Sequence, residues 1–154
     1  MGAAQHEGVY ARFAQRRHVA AGHLESRGEG HDGWLMLTVA GDASAPQLVV
    51  FRSDDAENWT LAGPLEFKGD PGHELQPGQV VVSPRIIRLR DEVDERIYDV
   101  LMVTIEKHGV EHSGYVVGRL NGTSFDVAAP FQRLDFGHDF TRPRITNYTP
   151  GSID

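Results

Sequence analysis

The chain has 154 residues, no cysteine and a formal net charge of −7. Those values exclude disulfides and thiolate chemistry, and they argue against a nucleic-acid surface, which would show as a basic stripe. With 40% hydrophobic residues, the chain can bury a core, and its length fits one domain. No apolar run approaches the roughly 18 residues of a membrane span, and the start carries no signal-peptide core. The sequence therefore predicts a soluble, cytoplasmic chain with no membrane partner.

Met1 to Gly8 is small and polar and is expected to fray. Val9 to Val19 fits a strand or a short basic helix equally well. Ala20 to Gly33 is Gly-rich and reads as loop, with His31-Asp32-Gly33 as a turn. Trp34 to Val39 and Gln47 to Arg52 are apolar runs that read as strands joined by a turn cluster from Gly41 to Pro46. Ser53-Asp54-Asp55 opens a tight polar turn into Trp59, and Leu65 to Phe67 reads as a short strand. Lys68 to Gly78 is loop by its Pro and Gly punctuation. Gln79 to Val82 and Ile86 to Arg90 read as strands interrupted at Ser83-Pro84, where proline demands an edge, a bulge or a break. Arg90 to Arg96 is a charged turn. Ile97 to Ile105 is a strand apolar on both faces, and Lys107 to Ser113 reads as a polar turn. Tyr115 to Leu120 and Ser124 to Val127 complete a meander through Asn121-Gly122, the dipeptide preferred in type I′ hairpins. The tail from Pro143 to Asp154 is weakly patterned.

Short strands with turn signals about every eight to twelve residues predict an all-β sandwich, barrel or propeller. Strand-turn-strand units begin near Trp34, Gln79 and Tyr98. Their spacing hints at a repeat of roughly 45–50 residues, the length of a four-stranded propeller blade.

Several side-chain groupings invite a chemical reading. Leu134 to Phe140 packs Asp135, His138 and Asp139 around Gly137 between two aromatics. It reads either as a sugar- or metal-binding rim or as a solvated polar corner. The pairs His31-Asp32, His73-Glu74 and Glu111-His112 sit on predicted turns without metal-ligand spacing, so no metal site is expected. Trp34 and Trp59 are expected in the core more than as sugar-stacking platforms. Arg85, Arg88, Arg90 and Arg96 read as a solvated strand face partnered by Asp91, Glu92, Asp94 and Glu95, with phosphosugar binding as the sharper alternative. Ser83 has no nucleophile elbow around it. The segments GRLNGTS and SRGEGHDG are neither phosphate loops nor dinucleotide fingerprints, so no cofactor is expected.

The pieces HDGWLMLTVAG, QLVVFRSDDAENWTLAGPL, GQVVVSPRIIRL, YDVLMVTI, GYVVGRLNGTSF and RLDFGHDFTRPR follow one another between residues 30 and 146. In order and spacing they resemble glycoside hydrolase family 32, the β-fructofuranosidases: invertases, levanases, inulinases and sucrose-6-phosphate hydrolases. The resemblance implies antiparallel four-stranded β-propeller-like blades belonging to a five-bladed propeller. At 40–50 residues per blade the chain holds about three of them, as one partial propeller domain over residues 1–154. It also implies a fructoside or other carbohydrate as partner. Open strand edges in a partial ring invite pairing with another chain, so the chain is expected to associate (as a homo-oligomer), to blunt its ends, or to fold more compactly than the family's propeller.

The family's retaining chemistry uses a nucleophilic Asp in an Asp-Pro-Asn motif and an acid/base Glu in a Glu-Cys-Pro motif. The two carboxyls stand about 5–5.5 Å apart. Neither carries over. The only Asp-Pro is Asp70-Pro71, followed by Gly72. Val82-Ser83-Pro84 aligns with Glu-Cys-Pro, so Val82 stands where the acid/base belongs, and an isopropyl group transfers no proton. The sugar-binding Arg-Asp-Pro motif falls near Leu24-Glu25-Ser26, where Glu25 keeps a carboxylate. The family's closing segment reads Asp139-Phe140-Thr141-Arg142, with Thr141 in place of the usual Tyr. The resemblance therefore implies no catalytic residue, and it leaves Glu25, His138, Asp139 and Arg142 as substrate-binding candidates. Three readings stay open: a carbohydrate-binding derivative without hydrolase activity, a fragment or subunit of an active enzyme, or a structural β-domain that dimerises.

Overall fold

The computed structural model describes residues 20–22, 34–41, 46–55, 57–136 and 140–143. The first sheet runs β1 (Ala20–Gly22), β2 (Trp34–Ala40), β3 (Gln47–Ser53) and β4 (Thr60–Pro64), antiparallel and in sequence order. The second is an antiparallel meander of β6 (Val80–Arg90), β7 (Ile97–Lys107), β8 (Val110–Asn121) and β9 (Ser124–Arg133). A short strand, β5 (Glu66–Lys68), joins the second sheet by pairing in parallel with β9. The only helical element among the described residues is a single 3₁₀ turn at His73–Leu75. Each meander is a four-stranded antiparallel unit of the blade type, and the all-β expectation holds.

Alternation builds the core. Leu35 and Leu37 on β2, and Leu48 and Val50 on β3, point toward the second sheet. There Val81, Leu101, Val103, Val116, Leu120 and Phe125 meet them, from strands whose period-two pattern puts every second side chain on that face. Met36 and Val49, on the other face of the first sheet, are also buried, as a near-continuous apolar run requires.

Several local differences from the sequence pattern have clear causes. Val80 to Arg90 is not two strands but one, because the interruption is absorbed as a bulge: pairing jumps from Val82↔Thr104 to Arg85↔Met102. Ser83 takes the left-handed conformation, φ 51°, and Pro84 sits in the bulge on a strand at the sheet edge. Both devices blunt that edge against pairing. Lys107 to Ser113 is not a polar turn. β7 and β8 run on to a two-residue loop at His108-Gly109, both with positive φ (53° and 76°), between the pair Lys107↔Val110. That is the φ pattern of a type I′ hairpin.

The Asn121-Gly122 hairpin is shifted by one residue. Asn121 pairs with Ser124, so the loop is Gly122-Thr123, with positive φ at Gly122 alone (64°). Glycine first is the type II′ arrangement. Thr60 to Pro64, which carries no alternation, forms β4 by pairing with β3 around a register shift. Ala20–Gly22, read as loop, pairs with β2. Val9 to Val19 lies outside the described residues.

The polar turns behave as their Asx chemistry dictates. Asp55 accepts from the backbone N–H of Glu57 and Asn58, from the Asn58 amide and from the Ser53 hydroxyl. These bonds, led by the one from the Asn58 N–H, hold its carboxyl far below the usual carboxylate range. Asp91 accepts from the N–H groups of Val93 and Asp94, which lowers its pKa in the same way.

Candidate functional site

Pairing across the second sheet aligns Val82, Thr104 and Ser113 in one row. Directly paired residues point to one face of a sheet; here it is the face turned away from the core, since the neighbouring row of Val81 and Ile105 is core. Val82 is half-buried, while Thr104 and Ser113 are fully buried with their hydroxyls 2.7 Å apart. The adjacent row on the same face holds Glu106 and Glu111.

The segment Phe140–Pro143 lies across this face. The backbone N–H of Arg142 donates to Thr104 Oγ1 at 3.0 Å and to Ser113 Oγ at 3.1 Å. Arg142 does so with φ 49°, a conformation that costs a non-glycine residue about 1 kcal/mol or more. Its guanidinium then grips Glu111, with Nε 3.1 Å from both carboxylate oxygens and Nη2 on Oε1. One residue thus straps the closing segment to the row in which Val82 stands. The hydrogen bond from Arg142 is the main cause that holds the Glu111 carboxyl below its ordinary value, and the same bond raises the pKa of Arg142.

The strap has a testable pH dependence. Because the folded-state pKa of Glu111 is depressed, its stabilisation is complete above the ordinary value of 4.5. It is lost as pH falls through the lower folded value. The arginine side chain is 49% exposed, so screening limits the pair to about 0.5–1 kcal/mol. Glu111→Gln is expected to lower the urea midpoint at neutral pH by that amount, and the gap to the parent should close in acid. A gap that persists at low pH would show that the charge is not what matters.

A family profile described as the glycosyl hydrolases family 32 N-terminal domain matches residues 27–150. The chain belongs to glycoside hydrolase family 32. A comparison with curated proteins finds no match. The family 32 scaffold explains the antiparallel blade-type sheets. It also bounds the site residues expected from sequence: Glu25 precedes the matched span, and Glu25, His138 and Asp139 lie outside the described residues. Arg142 is at the site, but its guanidinium is engaged by Glu111 rather than standing free for a sugar. Among the described residues no group of three His, Asp or Glu side chains is placed to hold a metal ion, and no helix is long and apolar enough to cross a membrane.

Sequence reasoning missed the part played by Thr104, Ser113 and Glu111. The signal was present: Glu111 and Ser113 alternate on one strand, and Ser113 faces a Thr across the hairpin. Reading 107–113 as turn concealed it. Trp34 and Trp59 are half-buried and outside the core cluster. Of the arginines, Arg96 does reach Asp94, at 3.9 Å, but Arg88 is no solvated residue. It is buried against Asp99.

Proposed function

We propose that this chain is a carbohydrate-binding member of family 32 that does not hydrolyse fructosides by itself. The observation that carries the reading is the row of Val82, Thr104 and Ser113. The family's acid/base position holds an isopropyl group, and the hydroxyls beside it are occupied with each other and with the Arg142 N–H. Loss of a general acid/base removes a factor of order 10²–10⁴. Without a carboxylate nucleophile in an Asp-Pro-Asn motif, these residues also lack the covalent route of a retaining enzyme.

The expected result is no fructose release from sucrose, inulin or levan above background, with binding of the same sugars detectable by calorimetry. Val82→Glu is expected to leave hydrolysis at background, because an acid/base alone cannot replace the nucleophile. Turnover by the pure protein that a point substitution abolishes would overturn the reading.

A further inference from the structure

A second concave surface lies on the other side of β6. Val82 faces the strap, whereas its neighbour Val81 faces the core and lines a cleft of about 900 Å³ between the two sheets. That volume lies within the range of small-molecule sites, roughly 300–1,000 Å³. Its floor is apolar, made by Leu48, Leu65, Leu75 and Phe67. Phe67 is braced edge-on by the buried Phe125 ring at 5.9 Å.

The walls are pre-formed. Pro46, Pro71 and Pro77 line them, and proline fixes φ. The Pro71 carbonyl accepts from Phe131 N–H of β9 at 2.9 Å, and Asp70 accepts from Gly72 N–H. A site whose walls need no ordering on binding loses less affinity to entropy. The polar side chains of the cleft's described lining are the amides of Gln47, Gln76 and Gln79 and the carboxylate of Asp70. Among the described lining residues there is no Lys, Arg or His, and the one carboxylate, Asp70, is engaged with its own turn.

We propose that this cleft is a binding site for a neutral, hydroxyl-rich saccharide, separate from the Val82 row and selective against phosphorylated sugars. The proposal rests on the carbohydrate reading above but concerns a different face of the sheet. Amides both donate to and accept from hydroxyls, while the exposed part of the Phe67 ring offers an apolar surface to the C–H face of a sugar. With no cation among the described lining residues, none of them offsets the desolvation of a phosphate dianion.

The test titrates the full chain with a short inulin-type fructo-oligosaccharide and with a phosphorylated sucrose, by calorimetry and amide chemical shifts. Gln47→Ala with Gln79→Ala removes one exposed and one half-buried amide and is expected to keep the parent's circular dichroism. It should weaken the neutral sugar about tenfold or more, the value of two modest hydrogen bonds. Glu92→Gln, on the exposed turn between β6 and β7, should leave that affinity unchanged. Shifts should cluster at Phe67 and residues 76–79, and the phosphorylated sugar should bind more weakly than the neutral one. If binding persists in the double variant and the shifts fall on the Val82 row instead, the cleft assignment fails while the carbohydrate reading stands. Equal or tighter binding of the phosphorylated sugar overturns the neutral selectivity. No saturation by either sugar overturns both the cleft and the carbohydrate reading.

Discussion

Replacing Asp99 by alanine is expected to cost about 3–5 kcal/mol of stability, the range for breaking a buried ion pair from one side. Asp99 is fully buried on β7. It accepts from Arg88 Nε at 2.9 Å and Nη2 at 3.2 Å, and from the backbone N–H of Leu120 at 2.7 Å. The Arg88 side chain is itself only 13% exposed. Removing the carboxylate leaves a buried cation and an orphaned backbone donor. Arg88 Nη1 is already buried without a partner, so no spare acceptor compensates. Asp99→Asn combined with Arg88→Met keeps an acceptor for Leu120 and removes the charge, and it should cost less than Asp99→Ala alone. Urea unfolding of the parent and the two variants measures this. A loss below 1 kcal/mol for Asp99→Ala would mean that water reaches the pair.

Gly114→Ala is the second large effect, expected at about 3 kcal/mol or more. A Cβ at this position would stand 2.2 Å from Phe131 Cζ and 2.4 Å from the carbonyl oxygen of Gln132. The ring can move; the carbonyl belongs to β9, paired to β8 through Gly114↔Arg133. Gly114→Ala with Phe131→Leu therefore relieves only one of the two clashes and is expected to remain well below the parent in thermal unfolding. A single variant that melts with the parent would show that β9 yields without cost.

Strand positions were legible where burial imposes a period. The apolar runs at Trp34, Gln47 and Ile97 and the β-branched run at Tyr115 each fall within a strand, although the last of these starts earlier than expected, at Val110. Elements stabilised by pairing alone were not legible. Thr60–Pro64 and Ala20–Gly22 have no pattern of their own and exist because β3 and β2 offer them an edge. Turn chemistry located the hairpins but not their register: at Asn121-Gly122 the strands set the loop one residue later than the dipeptide suggests. At the site, the alignment of Val82-Ser83-Pro84 with the family's acid/base motif could be read from the sequence. The hydroxyl pair beneath Arg142 could not, since it joins Thr104 and Ser113 to a residue much further along the chain.

The parallel strand β5 sets a timetable for folding. Glu66–Lys68 finds its partner only at Ser124–Asp126, and Glu66 N–H is bonded to the Thr123 carbonyl. While the chain is being made, the β2–β3 and β7–β8 hairpins can close on themselves at once. β5 must wait until β9 has emerged, and its loop-closure entropy comes due before its three pairs repay it. The β5–β9 pairing is therefore expected to close later than either hairpin, and until it does the link from the first sheet into the second is missing.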